Sequence, residues 1–157
     1  MEFKELFKQF SQPGVVEYIS IRRKRAEPVE VVDHIMSIEN KGLEGDRYKN
    51  QGGPRQVTLI QGEHVDTIAA FLNREAIDPS LLRRNIVVRG INLLALKEKQ
   101  FKIGDALLEH SGDCHPCSRM EENLGKGGYN AMRGLGGITA RVINGGMIRT
   151  GDMVVPI

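Results

Sequence analysis

The chain has 157 residues, and its 22 Lys and Arg side chains against 20 Asp and Glu give a formal net charge of +2 at pH 7. This near-neutral balance, together with the absence of Trp, argues against a dedicated nucleic-acid-binding protein, which usually carries a strong basic excess and aromatic stacking platforms. The length suits one domain, and no apolar run approaches the ~20 residues that span a bilayer, so we expect a single-domain protein without a membrane segment.

The predicted elements are a short N-terminal helix followed mainly by strands. Phe3, Leu6, Phe7 and Phe10 lie at helical spacing and predict a helix over residues 2–11. Strand patterns follow at 15–21, 28–38, 57–60, 86–88, 93–94, 100–103, 106–110, 138–143 and 153–155. Further helical patterns cover 63–73 and 118–124, and Asp78-Pro79-Ser80 predicts a capped helical turn through Leu82. Many short strands with few helices and no visible βαβ alternation predict a β-barrel or sandwich rather than a Rossmann-like sheet.

Glycine and basic residues are concentrated in a few segments. The glycine-rich stretches at 42–53 and 125–137 are predicted to be loops at the rim of a pocket, and the stretch at 145–151 is predicted to form turns. Gly125–Gly128 does not match a phosphate-binding Walker A loop, so we interpret it as a flexible loop. The basic run Arg22–Arg25 is interpreted as a solvated strand end, with an acidic partner surface as the alternative.

The Cys-x-x-Cys spacing of Cys114 and Cys117 leaves four interpretations open. It suits a dithiol redox pair, a single activated thiolate, or two inert buried thiols. A zinc site would need further ligands from His34, His64 or His110, because the motif supplies only two. Thioredoxin-type chemistry is disfavoured, since the motif lies late in the chain among strand patterns. Two cysteines cannot form a disulfide framework, so a reducing cytoplasmic location is expected.

Three polar segments are candidates for binding a ligand. Gly42 and Gly45 allow a tight loop over Gly42–Arg47, and Arg55 comes directly before a predicted strand. Arg83 and Asn85 alternate onto one face if the strand at 86–88 begins early. Arginine and asparagine together suit a phosphate group and the polar edge of a heterocycle. Each segment taken singly is equally compatible with solvated loop charges.

The ordered set of segments resembles the MOSC domain, named for the C-terminal domain of molybdenum cofactor sulfurase. The matching segments, in chain order, are Gly42–Arg47, Arg55–Ile60, Arg84–Val88 with Gly90, Ile103–Leu107, Cys114–Cys117, Gly136–Ala140, Gly145–Ile148 and Gly151-Asp152. The resemblance covers residues 15–157, which we expect to form the MOSC domain, with residues 1–14 as a helical extension.

The resemblance implies a mainly β fold with a few short helices, a distorted barrel of the pyruvate kinase barrel-domain type. It also implies a molybdenum cofactor (molybdopterin), with Cys117 as the catalytic thiolate and direct metal ligand. By the same resemblance, the pterin and phosphate would lie against a set of six residues: Arg55, Gln56, Arg83, Asn85, His115 and Pro116. The position of Cys114 has no constant role in the family.

The implied function is oxygen-atom or sulfur transfer, including reduction of N-hydroxylated compounds. Larger family members carry an N-terminal barrel, ferredoxin or aminotransferase-like domain that does not appear in this sequence, so a stand-alone MOSC unit is expected. Electrons would then come from a separate reductase. The alternatives are a metal-free sulfur carrier with a Cys117 persulfide, and a non-catalytic domain that delivers cofactor to a molybdoenzyme partner.

Overall fold

Strands outnumber helices in the computed structural model, which describes residues 1–47 and 52–157. The strands are β1 (Gly14–Ile21), β2 (Glu30–Val32), β3 (His34–Ile38), β4 (Gly42–Leu43), β5 (Val57–Gln61), β6 (Ile86–Arg89), β7 (Gln100–Ile103), β8 (Ala106–Asp113), β9 (Ile138–Asn144), β10 (Gly146–Arg149) and β11 (Met153–Pro156). The α-helices are α1 (Phe3–Leu6), α2 (Gly62–Phe71), α3 (Arg119–Leu124) and α4 (Gly128–Met132), and 3₁₀ turns cover Pro79–Leu82 and Leu93–Leu96. Within the two described ranges, none of the helices is long and apolar enough to cross a bilayer.

Seven of the described strands close into a barrel. Their order is β11-β7-β8-β9-β5-β6-β1, and the ring closes where Gly14 and Val15 of β1 pair with β11. The second half of β1 pairs with β2 along the same edge. Register shifts in the β1–β6 and β8–β9 pairs make the barrel irregular. This arrangement confirms the predicted mainly β barrel with a few short helices.

One pair of neighbouring strands departs from the predicted topology. β5 and β6 are parallel and are joined through α2 and the first 3₁₀ turn, so the chain does contain one βαβ unit and the expectation of none was wrong. The pattern was hidden because every residue of β5 is buried. Leu59 faces the barrel interior, whereas Ile60 packs against Ile68 of α2 on the outer side. A strand covered on both faces shows no polar alternation.

Several local predictions are also corrected. Residues 93–94 belong to a 3₁₀ turn rather than a strand, because the Asn92 side chain accepts a hydrogen bond from the Leu94 amide and caps the turn. The run at 28–38 is divided into β2 and β3 by Asp33. The N-terminal helix is limited to Phe3–Leu6 and has no buried residue to support a longer one.

The two glycine-rich segments predicted to be loops both contain regular structure. The segment at 125–137 includes α4, and the Glu121 carboxylate accepts hydrogen bonds from the amides of Gly127 (2.9 Å) and Tyr129 (3.0 Å). These bonds fasten the turn between α3 and α4 and hold the pKa of Glu121 below its usual value. In the segment at 42–53, β4 buries Leu43 in the barrel core, and residues 48–51 lie outside the described residues.

Gly137 is required by a close approach between two backbones. Its φ is +95°, and a Cβ atom there would lie 1.9 Å from the Leu59 carbonyl oxygen. We expect Gly137→Ala to lower the free energy of unfolding by at least about 3 kcal/mol, because left-handed strain and overpacking add together. Gly134→Ala is the matched control, since its φ is +79° but nothing lies within 4 Å of the added methyl group. Urea denaturation should give a loss of about 1–2 kcal/mol there, and equal losses would contradict the clash.

Candidate functional site

A cavity of about 370 Å³ opens beside Cys117, within the size range of small-molecule sites. Its described lining is strongly basic, and Glu122 is the one acidic residue in it. The basic side chains are Arg22, Lys24, Arg25, Arg47, Arg83 and Arg119. Such a lining favours ligands that carry negative charge.

Backbone contacts bring the basic residues together from distant parts of the chain. Arg22 follows the buried end of β1, and its amide donates a 2.7 Å hydrogen bond to Oδ1 of Asp46. The Arg47 amide donates to the Arg22 carbonyl oxygen at 2.6 Å, which ties the loop after β4 to the end of β1. Arg83 reaches the same region, since its Nη1 donates to the Glu27 carbonyl oxygen at 2.8 Å.

Arg83 occupies a distinctive backbone position between the 3₁₀ turn and β6. Its φ of 57° is left-handed, as it caps the turn Pro79–Leu82. Burial lowers the pKa of Arg83, and the positive charges of Arg119 and Arg22 lower it further. These like charges show that the three guanidinium groups share one electropositive region, which an anionic ligand would stabilise.

The two cysteines have different environments. Cys114 is 1% exposed, and its amide donates to the Gly137 carbonyl oxygen at 2.8 Å. Cys117 is exposed at the cavity, and both thiols are free. The interpretation as inert buried thiols therefore fits Cys114 but not Cys117. No cluster of three or more His, Cys, Asp or Glu side chains suited to a metal occurs within residues 1–47 and 52–157.

A buried guanidinium holds the segment that carries Cys117. Arg84 is 4% exposed, and its Nη2 donates to the carbonyl oxygens of Cys114 (3.4 Å) and His115 (3.3 Å). Its Nε donates to Gly136 at 2.8 Å and its Nη1 to Leu82 at 3.0 Å, again to carbonyl oxygens. Burial lowers the pKa of Arg84, because desolvation disfavours its charged form. One side chain thus joins the 3₁₀ turn, the cysteine segment and the glycine stretch before β9.

Comparison with known proteins settles the family. A model of the MOSC domain matches residues 46–155. The chain belongs to the MOSC domain family. No curated protein matches it.

Solved structures share the MOSC fold at low sequence identity. The YuaD protein from Bacillus subtilis is 21% identical, with a TM-score of 0.76 over 91% of this chain and 94% of its own. YiiM from Escherichia coli is 21% identical, with a TM-score of 0.71 over 93% of this chain and 70% of its own. YiiM from Geobacillus stearothermophilus is 17% identical, with a TM-score of 0.72 over 92% of this chain and 75% of its own.

Four of the predicted site residues of this MOSC domain lie in or near the cavity. Cys117 and Arg83 line it, and His115 (exposed) and Pro116 (half-buried) belong to the same segment as Cys117. Arg55 is exposed and does not line the cavity, but its charge contributes to the lowered pKa of Arg84.

The other two predicted cofactor contacts, Gln56 and Asn85, lie in the interior. Gln56 Oε1 accepts a hydrogen bond from the Val142 amide at 2.9 Å, and its Nε2 donates to the Gly53 carbonyl oxygen at 2.9 Å. Asn85 Oδ1 accepts from the Thr58 amide at 2.9 Å, and Nδ2 donates to the Ser20 carbonyl oxygen at 3.1 Å. In this structure both side chains fasten neighbouring strands to one another.

The basic run in the wall of the cavity is not predicted as a site from the sequence. Arg22, Lys24 and Arg25 are interpreted as part of a solvated strand end or of a contact with an acidic partner. Arg47 belongs to a segment predicted to bind a ligand at the rim of a pocket, and it does line the cavity. The sequence feature that could have identified these residues as part of a site is a basic run directly after a strand that ends in a buried residue, Ile21. By contrast, the stretch at 125–137, predicted to lie at the rim, supplies none of the described lining residues.

The role of Arg84 can be tested by removing its hydrogen bonds. We expect Arg84→Met to lower the free energy of unfolding by about 2–4 kcal/mol, because several buried carbonyl groups would lose their donor. Amide hydrogen exchange at Cys114 should also become faster, since the segment loses its anchor.

Arg83→Met is the neighbouring control, because Arg83 is half-buried and donates one hydrogen bond to the backbone. It should cost less than about 1 kcal/mol in urea denaturation. Equal costs for the two variants, or unchanged exchange at Cys114 in Arg84→Met, would show that Arg84 does not anchor the segment.

Proposed function

We propose that this MOSC domain binds a molybdenum cofactor in the basic cavity, with the Cys117 thiolate as metal ligand, and acts in oxygen-atom or sulfur transfer. The observation that carries the proposal is an exposed Cys117 thiol that lines the same cavity as the Arg83 guanidinium on a MOSC barrel. The family takes its name from molybdenum cofactor sulfurase, which supports a link with this cofactor.

The donor groups of the cavity fit the chemistry of such a cofactor. A soft thiolate suits a soft metal centre, and guanidinium groups suit the phosphate of the pterin. Arg83 lies in the cavity lining near Cys117, which supports a role in binding the phosphate. Arg55 does not line the cavity, and its contribution is limited to positive charge near Arg84. Direct contacts from Gln56 and Asn85 would require their present hydrogen bonds to break. We therefore assign these two residues the role of holding β5 and β6 in place.

The protein's own contribution is to hold the thiol in position. Arg84 fixes the backbone at Cys114 and His115, so the sulfur of Cys117 is presented from an anchored segment. When bound, the molybdenum centre would supply two-electron oxygen-atom or sulfur transfer, such as reduction of N-hydroxylated compounds. A separate flavin or iron–sulfur reductase would deliver the electrons in that reaction.

A sulfur carrier is the second candidate function. It is favoured by the same exposed Cys117 thiol, which could hold a persulfide without any metal. Intact-mass measurement distinguishes the two candidates, because a persulfide adds one sulfur atom that a reductant removes. A domain that only delivers cofactor to a partner would instead keep partner binding in a pull-down after Cys117→Ser.

Metal content tests the leading proposal. Protein made in a host that synthesises the cofactor should contain molybdenum and a pterin that becomes fluorescent on oxidation. We expect Cys117→Ser to lose at least about tenfold in molybdenum, because the protein ligand to the metal is removed. Cys114→Ala is the control, since Cys114 is buried and its thiol does not line the cavity. Absence of molybdenum in the unmodified protein, or equal molybdenum in Cys117→Ser, would refute the proposal.

A further inference from the structure

The cavity holds more positive charge than a cofactor phosphate requires. Among the described residues, Arg22 is the one basic lining residue that forms an ion pair, with its Nε 3.7 Å from Oδ1 of Asp46. Within the described ranges, no ion pair involves the other five, which are Lys24, Arg25, Arg47, Arg83 and Arg119. Neighbouring Arg23 is different, because it pairs with Glu30.

The basic side chains of the cavity exceed what one phosphate needs. A phosphomonoester carries about two negative charges at neutral pH, which Arg83 and one other unpaired basic residue of the lining match. Three further basic side chains without a carboxylate partner then remain in the described lining, opposed by Glu122 alone. Positive charges held this close together repel one another, and binding of a second anion reduces that repulsion.

We infer that Lys24 and Arg25 form a second anion subsite, and that the substrate which reacts at the centre held by Cys117 carries an oxyanion group, either a phosphate or a carboxylate. This inference rests on the proposed function, because it takes the reaction to occur at the centre that Cys117 binds. Both side chains belong to the turn between β1 and β2 and line the same cavity as the thiol. A substrate anchored at this turn would therefore extend its reactive end toward Cys117.

The exposure of these side chains determines how the subsite acts. Lys24 and Arg25 are both exposed, so a pair with a substrate oxyanion is screened by water and salt. The main effect is then electrostatic steering of anions toward Cys117 rather than tight binding. A change in the thiolate fraction affects an anionic and a neutral reagent alike, whereas steering affects only the anionic reagent, so the ratio of the two rates measures steering.

Alkylation of Cys117 measures this steering directly. The protein is prepared without cofactor and treated with iodoacetate, which is anionic, or iodoacetamide, which is neutral. Cys114 is 1% exposed, so one adduct is expected, and peptide mapping should place it on Cys117. We expect Lys24→Gln/Arg25→Gln to lower the ratio of the iodoacetate rate to the iodoacetamide rate at least about threefold.

A matched control removes the same charge elsewhere. Lys97→Gln/Lys99→Gln changes two exposed or half-exposed basic residues that line a different cavity, beside Phe7. The rate ratio should stay within experimental error in this variant. A fall as large as in Lys24→Gln/Arg25→Gln would show a net-charge effect and overturn the subsite. An unchanged ratio in both variants would overturn it as well.

Competing anions identify the group that is recognised. Inorganic phosphate and acetate should slow iodoacetate labelling of the unmodified protein more than chloride does at equal ionic strength. Stronger inhibition by phosphate indicates that the subsite recognises a phosphate group, and stronger inhibition by acetate indicates a carboxylate. Competition no stronger than that of chloride contradicts an oxyanion subsite.

Molybdenum content separates this inference from the proposed function. In a host that makes the cofactor, Lys24→Gln/Arg25→Gln should retain the molybdenum of the unmodified protein, whereas Arg83→Gln should lose part of it. Equal losses in the two variants would assign Lys24 and Arg25 to the cofactor and overturn the inference. Unmodified protein that lacks molybdenum but keeps the charge-dependent labelling would refute the proposed function while supporting the anion subsite.

Discussion

A buried guanidinium with only carbonyl partners is the interaction on which the candidate site depends. Taking a cation out of water costs several kcal/mol, and Arg84 offsets this through four backbone carbonyl oxygens rather than through a carboxylate in the described chain. Those carbonyls belong to segments that are far apart in sequence, Leu82, Cys114–His115 and Gly136. Because their dipoles converge on one charge, the segments must keep their positions for the charge to remain buried.

The same constraint explains how an exposed thiol can be held on an ordered backbone. Cys114 is buried and fixed on one side by Gly137 and on the other by Arg84, so Cys117 lies only three residues from an anchored point. Beyond Cys117, α3 begins and buries Met120. The sulfur is therefore accessible, while the chain on both sides of it is packed. Free access with little backbone freedom is what a metal ligand or sulfur carrier requires.

Most of the fold was predictable from the sequence, and the errors in that prediction have clear physical causes. Strand patterns such as Val57–Ile60 and Ile86–Val88 predicted real strands, because short runs rich in β-branched residues favour strands. The parallel pairing of β5 with β6 was not predictable, since burial on both faces removes the alternation that marks direction and partner. The strand predicted at 93–94 was wrong, because the cap from Asn92 outweighs the apolar pattern and residues 93–94 enter a 3₁₀ turn.

The sequence by itself determined the family and the barrel class and made Cys117 a candidate site residue, because these follow from residue types in a fixed order along the chain. Only the tertiary structure decided which charges surround that thiol. Lys24, Arg47 and Arg119 are distant in sequence, and they meet because β1 ends where the loop after β4 and the start of α3 also lie. It also showed that Asn85 and Gln56 have their polar groups occupied within the barrel. Charge and burial are properties of position in space, and a linear pattern does not contain them.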